Sequence, residues 1–206
     1  MIKNIIFDIG QVLLSYTPYE YVHSIIDNQT KAERLLSNLF LSSLWLDLDR
    51  GIKTYEDVLQ ELLELNPEDI ESYKFLLEHW TDMLLPIQSN VDLLKSLNQY
   101  NLYYLSNFQC IAFHEIITKH DFFQLFIGGI VSFKEHLMKP EPEIYETLLA
   151  KYNLLPTECI FIDDSYPNIE AAHLLGFHAI HFTPSCNLRS EIDCIIEREK
   201  TKEFVF

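Results

Sequence analysis

The chain has 206 residues, 48% of them apolar and 22% charged, with a formal charge of −16, which suits a globular protein with one sizeable core and argues against disorder. So acidic a surface repels phosphate backbones, and the densest basic cluster (Arg198, Lys200 and Lys202) is interleaved with Glu197, Glu199 and Glu203, so no nucleic-acid partner is expected. No apolar run approaches the roughly 20 residues needed to cross a bilayer, "MIKNIIFDIG" makes a poor signal peptide, and Cys110, Cys159, Cys186 and Cys194 form no C-x-x-C pair, so a cytoplasmic protein with reduced thiols and no membrane partner is expected.

In chain order, Ile5-Ile6-Phe7 is a short, non-alternating apolar run that predicts a strand buried on both faces and ending at Asp8. Residues 16–86 show only helical patterns. Thr54 is a candidate cap for a helix carrying Val58, Leu59, Leu62 and Leu63. Pro67 opens another, with Ile70, Tyr73, Leu76, Leu77, Trp80 and Leu84 on one face. In "SNVDLLKSLNQY" (89–100) Ser89-Asn90 reads as a capping pair before Leu93, Leu94 and Leu97. Further strands are predicted in "NLYYLSN" (101–107), "LFIGGIVSF" (125–133), "CIFIDDS" (159–165) and "GFHAIHF" (176–182). Between them lie helices that start at Pro142 and end on Gly176, a left-handed C-cap. Residues 185–206 read as a charged helical or extended tail. The pattern is that of an α/β fold, a doubly wound parallel sheet over 1–15 and 87–206, interrupted by an all-helical segment at 16–86.

In open α/β sheets ligands bind beyond the carboxyl ends of the strands. Asp8, Ser106, Asn107, Asp163 and Asp164 fall at such ends, and Lys139 follows another in "HLMKPEPE". Three carboxylates in one small volume conflict unless a cation joins them, and hard oxygen ligands favour Mg²⁺. Ser106 and the backbone N–H groups after it suit phosphoryl oxygens, Lys139 supplies a balancing charge, and Asp8 is placed to attack phosphorus.

This set resembles the haloacid dehalogenase-like hydrolases. "FDIGQVL", "YLSN", "MKPEPEIY" and "FIDDSYPNIEAAHLLG" are similar to that family's four motifs, in order, and the helical segment sits where the family inserts a C1-type cap. The resemblance implies Asp8 as nucleophile, Ser106 and Lys139 on the phosphoryl group, and Mg²⁺ on Asp8, the Gly10 carbonyl and Asp164, with Asp163 a ligand or a neighbour that orients one. It implies a phosphatase of a small phosphorylated metabolite. The pattern FD-x-G-x-V resembles a branch related to sugar-phosphate phosphatases.

Gly10 is a departure, because most phosphatases of the family carry there an Asp that works as general acid and base. Gly10 itself suits a tight turn and a backbone metal contact. Asn107 and Gln11 are candidates for touching substrate, with packing the competing role for Gln11. Two other functions stay open: a 2-haloacid dehalogenase, in which Asp8 attacks carbon, and a phosphate-binding module without turnover. Asn168 either tethers the loop or caps a helix. Trp45, Asp49 and Arg50 could touch substrate, although a packed Trp beside a surface ion pair is the preferred reading. "HEIITKH" (114–120) lacks zinc spacing, and His178 and His181 fall on opposite strand faces.

Overall fold

A computed structural model describes residues 1–203; residues 204–206, the end of the anticipated tail, lie outside the described residues. Five parallel strands form one sheet: β1 (Asn4–Phe7), β2 (Asn101–Ser106), β3 (Gly128–Val131), β4 (Cys159–Asp163) and β5 (His178–His181). Their order is β3-β2-β1-β4-β5, so the chain winds outward from β1 in one direction and then crosses to the other side through β4. Every residue of β1 and β4 is buried, as their uninterrupted apolar runs require of central strands covered on both faces. The expected strands are all present.

Between β1 and β2 the chain makes six α-helices: α1 (Pro18–Ile25), α2 (Gln29–Leu35), α3 (Ser43–Arg50), α4 (Tyr55–Leu65), α5 (Ile70–His79) and α6 (Gln88–Ser96). The first five make an all-helical insertion. Thr54 caps α4 as expected, in a reciprocal box with Asp57. The two connections of the insertion run side by side: Ser15 N–H donates to Leu85 O at 2.8 Å and Ile87 N–H to Leu13 O at 2.9 Å. The remaining helices are α7 (Cys110–Lys119), α8 (Ser132–Glu135), α9 (Pro142–Tyr152), α10 (Tyr166–Leu174) and α11 (Leu188–Glu203). One core cluster joins Ile5, Phe7 and Ile162 to α6, α7, α11 and the insertion. The other joins Ile6, Tyr103 and Phe161 to α9 and α10. No described helix is long and apolar enough to cross a membrane.

Three local expectations are corrected. Helix α6 begins at Gln88, so Ser89 and Asn90 lie inside its first turn rather than capping it; the Asn90 amide instead donates to Val12 O at 2.7 Å, tying α6 to the loop after β1. Leu63 faces solvent at 40% exposure, because the buried stripe of α4 is only Val58 and Leu62, with Leu59 packed at its edge. The left-handed residue of the turn after Asp8 is Gln11, with φ 54°, not Gly10. A Cβ added at Gly10 would meet nothing within 4 Å, so neither backbone nor space demands glycine there.

Candidate active site

The carboxyl ends of β1, β2 and β4 meet at the point where the strand order reverses, where side-by-side loops part and leave a crevice. Asp8 leaves β1 into this crevice. Its Oδ1 accepts hydrogen bonds from the Ser106 hydroxyl at 2.7 Å and from the Ile9 N–H at 2.7 Å, and lies 2.9 Å from Lys139 Nζ. Lys139 is 4% exposed, and its Nζ also donates to Asp163 Oδ2 at 2.6 Å. The ammonium therefore bridges two carboxylates from neighbouring strands. Burial alone would pull its pKa down, but Asp163 and Asp8 outweigh burial and hold it above the usual lysine value. Asp8 responds the other way: burial pushes it up, Lys139 only partly offsets this, and Asp163 adds repulsion, leaving it at about 7.

Asp163 and Asp164 are adjacent in sequence but differently used. Asp163 is fully buried; its Oδ1 accepts from Ser165 N–H at 2.8 Å and the Asn168 amide at 2.9 Å, while Oδ2 takes Lys139. Asn168 thus tethers the loop. Asp164 is half-buried and carries no such side-chain bonds, and burial, then Asp163, raises its pKa. One carboxylate oxygen from each of Asp8, Asp163 and Asp164 lies within 4.8 Å of the others. Three carboxylates facing one ammonium leave an excess of negative charge, and repulsion from Asp163 adds to burial in the upward shifts of Asp8 and Asp164. An all-oxygen donor set with that excess fits a divalent cation such as Mg²⁺.

Asn107 lines the crevice, but its carboxamide is spent on the backbone of Lys139, donating to the carbonyl at 3.0 Å and accepting from the N–H at 2.9 Å. Of the N–H groups after Ser106, that of Phe108 is taken by Ser132 Oγ at 2.9 Å. Gln11 sits outside the cavity above Asp8, in a neighbouring groove shared with Asp164. Its side-chain oxygen accepts from Tyr16 N–H at 3.2 Å and so braces the turn.

That cavity measures about 130 Å³ and is lined by Asp8, Gly10, Ser106, Asn107, Lys139 and Asn168 from the sheet side. From the other side come Tyr16, Trp45, Asp49, Trp80 and Leu84, with Phe108. Trp45 and Trp80 meet edge to face at 5.0 Å, and Trp80 lies 5.8 Å from Phe108. The Trp80 indole donates to Tyr55 Oη, which donates to Gln109 Oε1, both at 3.0 Å, linking the insertion to the loop after β2. Trp45 is packed in the core cluster, as the preferred reading has it, and both it and Asp49 also line the cavity. Arg50 does form an ion pair, but with Glu141, two residues beyond Lys139. Sequence reasoning missed Tyr16, Trp80 and Phe108 as wall residues. Trp80 shares its helical spacing with plain core residues, and Tyr16 and Phe108 follow β1 and β2 without a pattern of their own.

Comparison with known proteins identifies the family and the fold. Over 201 residues the chain is 28% identical to the sesquiterpene phosphatase astK of Aspergillus oryzae, covering 93% of this chain and 97% of that one. It is 23% identical to a D-ribitol-5-phosphate phosphatase of Bacteroides thetaiotaomicron, covering 95% and 99%. The fold matches a crystal structure of a haloacid dehalogenase family enzyme from the same bacterium, in complex with magnesium and inorganic phosphate, with TM-score 0.75, 24% identity and coverage of 92% and 98%. The sequence model of the haloacid dehalogenase-like hydrolases matches residues 2–176, and the chain belongs to that family.

Proposed function

We propose that the protein is a Mg²⁺-dependent phosphatase of small phosphorylated metabolites that works through an aspartyl-phosphate on Asp8. The observation that carries this reading is the position of Lys139 Nζ, 2.9 Å from Asp8 Oδ1 and 2.6 Å from Asp163 Oδ2, with Ser106 on the same Asp8 oxygen. An ammonium and a hydroxyl beside a carboxylate nucleophile suit a trianionic group in flight between oxygens. The named activities of the two relatives support it.

On this reading Lys139 and the Ser106 hydroxyl hold phosphoryl oxygens and aim Asp8 at phosphorus. Asp164, Asp8 and the Gly10 carbonyl would hold the metal, and Asp163, whose oxygens are occupied by Lys139, Ser165 and Asn168, orients the lysine. When bound, the ion neutralises charge between the carboxylates and the phosphoryl group. Asp8 attacks, the alcohol leaves, and water then cleaves the acyl phosphate. Residues 16–86 act as the cap and close the cavity with aromatic side chains that exclude bulk water. Asn107 serves the substrate through Lys139, and Gln11 through the turn.

Sugar and polyol phosphates come first as substrates, by the named activity of the bacterial relative: a phosphoryl group with a short hydroxylated chain whose C–H face lies on Trp45 or Trp80. The test is hydrolysis of a panel of sugar, polyol and prenyl monophosphates with and without Mg²⁺, beside Asp8→Asn. Metal-dependent turnover lost in Asp8→Asn is expected. Activity that survives the substitution contradicts the reading, as does chelator-insensitive chloride release from 2-chloropropionate in place of phosphatase activity.

A further inference from the structure

Position 10 has no side chain, so the proton required by the departing oxygen must come from elsewhere on the cavity wall. Ser106 and Lys139 are engaged with Asp8, and the Asn168 amide with Asp163. The Tyr16 phenol is pushed above the usual tyrosine range by burial and by Asp49, which makes it a poor acid. Asp49 remains, a carboxyl from the last turn of α3 that lines the same cavity as Asp8 from the opposite side.

Its position is fixed from several directions. Ser132 Oγ donates to the Asp49 carbonyl. The next residue, Arg50, donates to Glu141 at 3.0 Å and to His136 O at 3.2 Å, while His136 Nδ1 lies 3.0 Å from Arg50 O. Gly51 ends α3 at φ 74°, and an added Cβ there would run into the Phe133 carbonyl, so only glycine lets the helix end seat on α8. The Gln109 amide lies near enough to the Asp49 carboxyl to oppose its upward shift, and its buried Nε2 makes no hydrogen bond among the described residues.

We propose that Asp49 is the general acid and base of the reaction, giving its proton to the leaving oxygen and later taking one from water. The inference rests on the phosphatase reading. As the bond from an Asp8 oxygen to phosphorus forms, the bond from phosphorus to the leaving oxygen breaks, and the Asp49 proton ends on the alcohol. Water then bonds to phosphorus, the Asp8–phosphorus bond breaks, and a water proton restores the Asp49 acid. Burial pushes the Asp49 pKa up to about 8, the Gln109 amide partly opposing it and Asp8 adding to it, so the carboxyl is protonated near neutrality. The charged and titratable groups around it are Asp8, Lys139 and Tyr16 in the cavity, Tyr55 on α4 and Arg50 on its own helix.

The test compares p-nitrophenyl phosphate, whose leaving group needs no proton, with an alkyl or sugar phosphate, whose leaving group does. In Asp49→Asn, kcat on the alkyl ester is expected to fall by about 10²–10⁴-fold, and on the aryl ester far less. The retained aryl activity also reports that the variant folds. Gly10→Asp in the Asp49→Asn background, where the added Cβ meets nothing within 4 Å and the residue lines the same cavity, is expected to restore alkyl activity at least in part. If wild type hydrolyses both esters and Asp49→Asn leaves their ratio unchanged, the inference is overturned alone. If wild type hydrolyses neither with Mg²⁺, the phosphatase reading is overturned and the inference falls with it.

Discussion

Asn107 grips Lys139 by both of its backbone groups, donating to the carbonyl at 3.0 Å and accepting from the N–H at 2.9 Å. One carboxamide next to Ser106 thereby sets the loop that carries the ammonium. Asn107→Ala removes two hydrogen bonds from a partly buried loop, each worth roughly 1 kcal/mol net. The larger expected effect is kinetic: a drop of about 10- to 100-fold in kcat from a displaced lysine, since small misplacements cost that much. Asn107→Asp, which keeps the acceptor and loses the donor, should fall between. Steady-state kinetics on the best substrate of the panel decides it, and a kcat within twofold of wild type for the alanine variant contradicts the positioning role.

Lys139 carries the opposite kind of energy. Lys139→Met keeps the stem and strands two buried carboxylates, Asp8 and Asp163, without their cation. Breaking a buried pair costs about 3–5 kcal/mol, so urea unfolding near neutral pH should show a large loss. The loss should shrink on acidification, as the stranded carboxyls take up protons instead of charge. A loss that does not change with pH contradicts the ion-pair explanation.

The adjacent acids separate by experiment. Asp163→Asn unseats Lys139, Ser165 and Asn168 together, so it should destabilise the metal-free protein. Asp164→Asn should leave that stability nearly unchanged and even relieve repulsion. Adding Mg²⁺ should raise the melting temperature of wild type, because a ligand that binds only the folded state stabilises it by mass action. Asp164→Asn should abolish most of that rise. Equal metal-induced shifts in wild type and Asp164→Asn contradict the assignment.

Asp49 links the site to pH. Its folded pKa, pushed up to about 8 by burial, exceeds that of the unfolded chain, so the native state keeps a proton that the unfolded state releases above about pH 4. The favourable contribution is complete below the unfolded value and is lost as pH rises towards the folded one, by up to about 1.4 kcal/mol per unit. Asp49→Asn has no proton to lose. Its melting temperature should gain on wild type steadily between about pH 5 and pH 8; a constant difference contradicts the shift.

Much of this is legible in the sequence alone. Ile5-Ile6-Phe7 and Cys159–Ile162 announce central strands because nothing polar interrupts them, and a parallel sheet then forces Asp8, Ser106, Asp163 and Asp164 to one rim. Lys139 was legible as a candidate, but not its burial between two acids, which depends on Asn107 from another strand. The cavity wall was not legible. Trp80 and Leu84 repeat at helical spacing whether they face core or ligand, and Asp49 ends α3 much as a solvated acid would. The seating of Gly51 on Phe133, the Ser132 bond to the Asp49 carbonyl and the Arg50–Glu141 pair together hold that helix end at the cavity. Ser89 and Asn90 misled because the Asn90 amide had a long-range partner, Val12, that outcompeted a local cap.

The central claim is that Asp8 carries the phosphoryl group. Protein quenched in acid during turnover of its best phosphomonoester with Mg²⁺, then digested and mapped by mass, should carry one phosphoryl group on the peptide containing Asp8 and none in Asp8→Asn. An adduct on another residue, or an Asp8→Asn protein that turns over at the wild-type rate without one, contradicts the account.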